Sequence, residues 1–376
     1  MPPQDYVSLV LQEIRQRQSL VLERQIRSLY FGGGTPSLIP AELIVSIVEE
    51  LAKCGFEFDS NCETTLEINP ATLNPQKIEF YLKAGFNRFS VGAQTFNDRL
   101  LKACGREHSA QDTRETLGLL NQMELNYSFD LLFALPGQSL EDLREDLRET
   151  LDFGPKHLSA YCLTVPESHP MALGRAPEGE QIEMFELIEE ELKGQQLDKY
   201  ELSNFAQRGR ESLHNLSYWT DQSFWGLGLS AHSYLREPGW GVRFWNPKGF
   251  SEYQDQVQVR AKQPHTELLD GVGPYALLPS AQKEILKAHE ALTDFCHTRL
   301  RLKDGLSEDA VRIKWGRPAA DSLSLRLKSL RKSGWVESFD NDRWRLTRQG
   351  QILSNQVFLA LTYLASDLER LEPTVV

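Results

Sequence analysis

"SLYFGGGTPSLIP", residues 28–40, sets the terms for the fold. A short apolar run meets three consecutive glycines, and a helix-forming stretch follows. A chain gives up that much backbone entropy only for a tight turn or to let something approach the main chain closely. Outward from this point, "RSLYF" (27–31), "TTLEI" (64–68), "NRFSVG" (87–92), "YSFDLLF" (127–133), "HLSAYCL" (157–163) and "KYELS" (199–203) read as strands. Between them lie helical patterns. Leu43, Ile44, Ile47, Val48 and Leu51 share one face, and Leu140, Leu143, Leu147 and Leu151 form a second stripe opened by Ser139 and Asp142 in capping-box positions. Repeated strand–helix alternation predicts an α/β fold on a parallel sheet, open or closed into a barrel. The chain itself starts on a helix, with Tyr6, Val7, Val10, Leu11 and Ile14 on one face, where a βα barrel would start on a strand and its loop.

The 376 residues are long enough for a large core and more than one domain. A hydrophobic fraction of 40% and a charged fraction of 25% are those of a soluble globular protein. The net charge of -12 argues against nucleic acid as the main partner, because the chain as a whole does not attract phosphate. No run of 18 apolar residues occurs, and the N-terminus lacks a basic stretch followed by an apolar one, so a cytoplasmic location is expected. The five cysteines, Cys54, Cys62, Cys104, Cys162 and Cys296, fall at spacings of 8, 42, 58 and 134, so they predict isolated buried thiols and no metal site.

Past residue 205 the composition changes. Trp219, Trp225, Trp240 and Trp245 crowd a stretch rich in Gly and Asn, and the loop-like "QPHTELLDGVGPYALLPS" (263–280) follows. Within it, "GLGLSAHS" (226–233) lacks the strand–helix context of a dinucleotide fold and predicts close backbone packing instead. Residues 281–376 read as helices around a short hairpin in "SGWVESFDNDRWRLTRQG", a winged-helix-like pattern. Its seven Lys/Arg against four Asp/Glu between residues 321 and 350 are a solvated face rather than a nucleic-acid surface. Three regions are therefore expected: 1–205, 206–262 and 276–376.

The residues around the glycines form an ordered set. Glu67 closes the second strand, Gln94 lies just past the third and Asp130 sits in the fourth. In parallel α/β folds such strand ends converge on the ligand-binding face. A carboxylate there suits ribose hydroxyls, and Arg106 in "CGREH" offers a fork for a ligand carboxylate. No Lys-Ser/Thr follows the glycines, which argues against a phosphate-binding P-loop.

"YFGGGTPS", "LEINP", "FSVGAQTF", "GREH", "LLFALPGQ", "HNLSYW" and "GLGLSAHSY", in that order, resemble the radical-SAM proteins related to oxygen-independent coproporphyrinogen III oxidase, and in particular their haem-chaperone branch. The resemblance runs to "LTRQGQILSNQVF" and so covers nearly the whole chain. It implies a partial (β/α) barrel of the radical-SAM type with a C-terminal helical, winged-helix-like domain. It also implies S-adenosylmethionine (SAM) as cofactor, with Gly33, Gly34 and Thr35 at its methionine end, Glu67 at its ribose, and Gln94, Arg106 and Asp130 completing the pocket. For the haem-chaperone branch it implies haem, with His214, Asn215, Tyr218 and Trp219 as the candidate site. The partners it implies are haem-acceptor proteins, soluble or membrane-associated; a homodimer stays open. Two other functions stand beside haem delivery: the coproporphyrinogen oxidase reaction, and a cluster-less interaction protein.

The family's CxxxCxxC segment, whose thiolates hold a 4Fe–4S cluster, has no counterpart among the five cysteines. The helical start favours a native beginning upstream of Met1 that would carry this segment; loss of the cluster is the alternative. A 4Fe–4S cofactor is expected only in the first case, and no residue of the chain is named as a metal ligand.

Overall fold

The computed structural model describes residues 2–237, 239–262, 282–340 and 342–369. It divides into two compact units. One comprises Gln25–Val48 and Phe58–His214; the other comprises Met1–Arg24, Glu49–Glu57 and Asn215–Val376. The stretch 263–280, read above as a loop, lies outside the described residues, as does residue 276, where the last expected region begins.

Helix α1 (Pro3–Arg17) opens the chain, with Val7, Val10 and Ile14 buried along one face as the spacing predicts. Strand β1 (Gln25–Phe31) then leads through the glycines to α2 (Ala41–Lys53). Strand–helix alternation continues through β2 (Glu57–Ile68), α3 (Pro75–Lys83), β3 (Arg88–Gln94), α4 (Asp98–Ala103), α5 (Ala110–Gln122), β4 (Tyr127–Phe133), α6 (Leu140–Phe153) and β5 (His157–Cys162). The capping box at Ser139 and Asp142 forms as the sequence predicts. Strands β2 to β5 pair in parallel in sequential order, the arrangement that short amphipathic crossovers impose. The sheet is the curled, open sheet of a partial barrel.

Its other edge departs from the all-parallel expectation. After α7 (Glu178–Glu191), the predicted strand 199–203 is instead a hairpin of β6 (Asp198–Lys199) and β7 (Asn204–Ala206), both antiparallel to their neighbours. The Glu201 carboxylate accepts from the Ser203 amide (2.8 Å) and from the Asn204 side chain, folding the segment into a turn where a strand would have run on. The seven strands lie in the order β1-β2-β3-β4-β5-β7-β6. Strand β2 is also longer than predicted and takes in Cys62.

Period-two alternation gives the two sheet faces opposite character. Leu66, Ile68, Phe89, Val91, Phe129, Leu131, Leu158 and Ala160 pack in one core with Leu117 and Leu120 of α5 and Leu143 and Leu147 of α6. Burying each of these Leu, Ile, Val and Phe side chains contributes about 1.5–3 kcal/mol. The intervening positions are Glu63, Thr65 and Glu67 on β2, Arg88 and Ser90 on β3, Ser128 and Asp130 on β4, and His157 and Ser159 on β5. Register aligns them in rows, with Glu67 opposite Ser90, Ser90 opposite Ser128 and Asp130 opposite Ser159.

The second unit holds α1 and everything past His214. Helix α8 (Leu213–Trp219) runs into it, followed by β8 (His232–Leu235), β9 (Val242–Trp245), α9 (Phe250–Lys262) and β10 (Lys283–Ile285), whose strands form an antiparallel three-stranded sheet. The glycines of "GLGL" allow the predicted close packing: a side chain at Gly226 would strike the His232 carbonyl, and one at Gly228 would lie 2.5 Å from the Tyr6 hydroxyl. The chain then passes through α10 (Ala288–Arg301), β11 (Leu306–Ser307), α11 (Glu308–Trp315), α12 (Arg317–Lys332), β12 (Val336–Ser338) and β13 (Arg343–Leu346), the order of a winged helix. The predicted hairpin is present, with Val336 opposite Leu346.

Candidate functional site

The glycine loop leaves β1 beside Glu67 at the end of β2. Gly33 and Gly34 have φ of 81° and 64°, a left-handed backbone that favours glycine. Gly32 is needed for another reason: a Cβ there would sit 2.7 Å from Glu67 Oε1. The loop thus wraps a carboxylate. Tyr30 Oη donates to Glu67 Oε1 at 2.7 Å, and the Gly33 amide donates to Oε2 at 3.0 Å. One donor on each oxygen leaves lone pairs on both for a further pair of hydroxyls.

Asp130 lies along the same polar face, close enough to Glu67 for their charges to interact. Burial pushes its pKa from 3.8 up to about 6, against the opposing pull of hydrogen bonds from Ser159 and Ser90 and the nearby Arg88 charge. The Ser90 hydroxyl donates to Asp130 Oδ2 at 3.0 Å and lies 2.9 Å from Ser128 Oγ. Arg88 is buried, with Nε 3.8 Å from Glu63 Oε2.

Gln94 ends β3 at a register irregularity with φ of 70°, and Ala71 and Ala134, just past β2 and β4, have φ of 67° and 59°. Non-glycine residues in this region store about 1–3 kcal/mol of strain each, a pattern that concentrates at ligand-binding sites. Thr35 is half-buried and precedes a 3-10 turn, Pro36–Leu38. Arg106 is exposed just past α4 and forms no ion pair among the described residues. The structure therefore joins Gly33 to Glu67, sets Asp130 within charge range of Glu67, puts Gln94 at the end of β3, and leaves Arg106 exposed.

Of the second set, His214 falls in the first unit. Its ring stacks on Tyr30 with centroids 4.4 Å apart and planes 10° from parallel. Burial, helped by the Arg88 charge, lowers its pKa to about 4, so the imidazole is neutral at neutral pH. Its backbone is held by Glu63, whose carboxylate accepts from the amides of Leu213 (3.1 Å) and His214 (3.0 Å) and from the Ser212 hydroxyl (3.2 Å). Asn215, Tyr218 and Trp219 belong to the second unit. There Tyr218 meets Phe224 edge-on at 4.5 Å, and the Arg301 guanidinium lies 4.3 Å from the Trp219 ring centre. Trp219 Nε1 is buried without a hydrogen-bond partner among the described residues.

Tyr30, Glu63, Arg88, Ser90, Ser128, His157 and Ser159 are not among the residues predicted for the site. For all but Tyr30, which lies on β1, the signal is the polar residue at every second position of β2 to β5, which marks a sheet face turned away from the apolar core. The five cysteines are free, Cys62 and Cys296 buried as expected and the other three half-buried. Among the described residues no three His, Cys, Asp or Glu side chains gather closely enough to hold a metal ion.

Comparison with known proteins accords with this architecture. The profile of the radical-SAM superfamily matches residues 2–150. The chain is 34% identical to the haem chaperone HemW of Haemophilus influenzae, covering 95% of this chain and 89% of that one. It is 28% identical to HemW of Bacillus subtilis, covering 95% and 91% respectively. Coproporphyrinogen III oxidase (HemN) of Escherichia coli, a radical-SAM enzyme, has the same fold: TM-score 0.76 at 19% identity, over 96% of this chain and 83% of that one. The curled sheet, the glycine cradle and the near full-length similarity place the chain in the radical-SAM superfamily, in the family of the HemW haem chaperones.

Proposed function

We propose that the protein binds haem and delivers it to acceptor proteins, with SAM held at the glycine loop. The observation that carries haem delivery is the 34% identity to a haem chaperone across 95% of the chain. Haem would meet the "HNLSYW" segment. His214, its imidazole neutral at neutral pH, would hold the haem iron. Tyr218 and Trp219 supply aromatic surface for a flat macrocycle, with Asn215 beside them on α8. Acceptors are soluble or membrane-associated proteins met from the cytoplasm. Among the described residues no helix is long and apolar enough to cross a membrane.

The glycine cradle fits SAM. Glu67 has acceptor capacity on both oxygens for the ribose hydroxyls, and the Gly33–Gly34 backbone leaves room for the methionine end, with Thr35 beside it. Asp130 and Gln94 would complete the wall, and Arg106, exposed just past α4, would turn inward to meet the ligand carboxylate. SAM brings a sulfonium whose carbon–sulfur bonds are open to cleavage when an electron is supplied. The residues of the glycine cradle would bind SAM and orient it.

Titration of the purified chain with haemin tests the haem reading. We expect a Soret band that saturates with haemin and moves or disappears in His214→Ala, and haem that passes to an apo-acceptor. An unchanged spectrum in His214→Ala removes His214 as an iron ligand, and absence of haem binding removes the chaperone reading. The fold shared with coproporphyrinogen III oxidase supports a second reading, the oxidase reaction itself. Turnover of coproporphyrinogen with SAM, without stable haem binding, would select it.

A further inference from the structure

We infer that Tyr30 and His214 are positioning residues for the Glu67 carboxylate, holding it in the orientation that receives a ribose diol. The inference rests on the SAM reading of the glycine loop. Its basis is a closed circuit of contacts that starts and ends on β2. Glu63 and Glu67, four residues apart on that strand, lie on the same face. Glu63 fixes the backbone entering α8 through Ser212, Leu213 and His214. The His214 ring lies flat on Tyr30 at 4.4 Å, and the Tyr30 hydroxyl donates to Glu67 at 2.7 Å. The remaining Glu67 oxygen takes the Gly33 amide, three residues beyond Tyr30.

Without these two rings, Glu67 would be a half-buried carboxylate with several rotamers open to it. Both of its donors come from residues 30–33, so a shift of the Tyr30 ring moves the carboxylate and the loop together. His214 limits that shift by covering the ring face. A ligand diol needs both carboxylate oxygens presented at once, and about an ångström of misplacement weakens such a pair of hydrogen bonds sharply. His214 thus contributes to the SAM site without touching the cofactor.

S-adenosylhomocysteine and its 2′-deoxy analogue are the probes, titrated calorimetrically into the full-length chain and into Glu67→Ala, Tyr30→Phe, His214→Ala and His214→Phe. Tyr30→Phe keeps the stack and removes the hydroxyl; we expect about fivefold to tenfold weaker S-adenosylhomocysteine binding. His214→Ala should weaken binding by a similar factor, and His214→Phe, which restores a flat ring, should recover most of it. Removing the 2′-hydroxyl from the ligand should cost the native chain about tenfold and Tyr30→Phe no more than about twofold. General loosening of the fold would not abolish that difference. Native affinity in both Tyr30→Phe and His214→Ala, with Glu67→Ala impaired, overturns the inference and leaves the SAM site standing. Native affinity in Glu67→Ala, or no binding by the native chain, overturns the SAM reading itself.

Discussion

Asp130 carries a titration that the sequence position alone does not reveal. It is one of a row of polar residues inside a parallel sheet, and burial raises its pKa from 3.8 to about 6 despite hydrogen bonds from Ser159 and Ser90. A carboxyl raised in the folded state contributes stability that is fully present below its ordinary pKa. That contribution is lost as pH rises through the folded value, here between about pH 4 and pH 6. Above pH 6 the folded protein holds a poorly solvated charge. Asp130→Asn keeps an acceptor for the serine hydroxyls and removes the charge. It should therefore stabilise the protein at pH 8 by about 1–2 kcal/mol, after discounting for solvent at this half-buried position, and by almost nothing at pH 4. Guanidinium denaturation at the two pH values measures the difference. Comparison with the unsubstituted chain cancels Asp146, also raised to about 6 by burial. Equal effects at both pH values would show that Asp130 is not the group that titrates.

Helix α8 shows how an element can be placed by residues far away in sequence. Its seven residues bury no side chain fully, and a helix this short has little stability of its own. Its entry is set by Glu63, 150 residues upstream of Leu213, which accepts two backbone amides and a hydroxyl while keeping the buried Arg88 company. Glu63→Ala removes that acceptor and the carboxylate paired with the buried Arg88, so we expect a loss of about 3 kcal/mol and faster hydrogen exchange at the Leu213 and His214 amides. Glu63→Gln should lose less. Unchanged exchange in Glu63→Ala would mean that α8 is fixed by other contacts. The same case marks what the sequence makes legible. Strands β3, β4 and β5 and helices α2 and α6 follow from periodicity and caps, because those signals are local. The "GGGTP" loop and Glu67 are legible from order along the chain, since parallel strands carry their ends to one side. The turn at Glu201 is hidden because its carboxylate folds back on residues only two and three positions away, within a run that otherwise reads as a strand. Glu63, Tyr30 and Arg88 are hidden because their roles exist only once β1, β2 and β3 lie side by side.

At the scale of the whole molecule, the chain's first helix belongs with the residues past His214. The buried Glu13 carboxylate on α1 accepts from Arg17 Nη1 (2.6 Å), Asn246 Nδ2 (2.7 Å), Tyr253 Oη (2.8 Å) and the Gly228 amide (2.9 Å). Arg17 in turn donates to Asn246 Oδ1 at 2.5 Å. Hydrophobic periodicity shows which face of α1 is buried and nothing about its partner; the partner is chosen by a polar network spanning more than 200 residues of sequence. A buried network of this kind stabilises when complete and destabilises strongly when one member is removed. Glu13→Ala leaves the buried Arg17 without its carboxylate and takes the acceptor from the Gly228 amide and the Tyr253 hydroxyl, for a loss of about 4 kcal/mol. The consequence can be read in one unit alone, because all seven tryptophans, Trp219, Trp225, Trp240, Trp245, Trp315, Trp335 and Trp344, lie past His214. Tryptophan fluorescence during heating should therefore report the loss directly, with the midpoint lowered by about 10 °C. Glu13→Gln, which keeps two acceptor lone pairs and loses the charge, should fall between the two. A fluorescence midpoint unchanged in Glu13→Ala would show that the chain past His214 holds its structure without the Glu13 carboxylate, and that the buried network adds nothing to its stability.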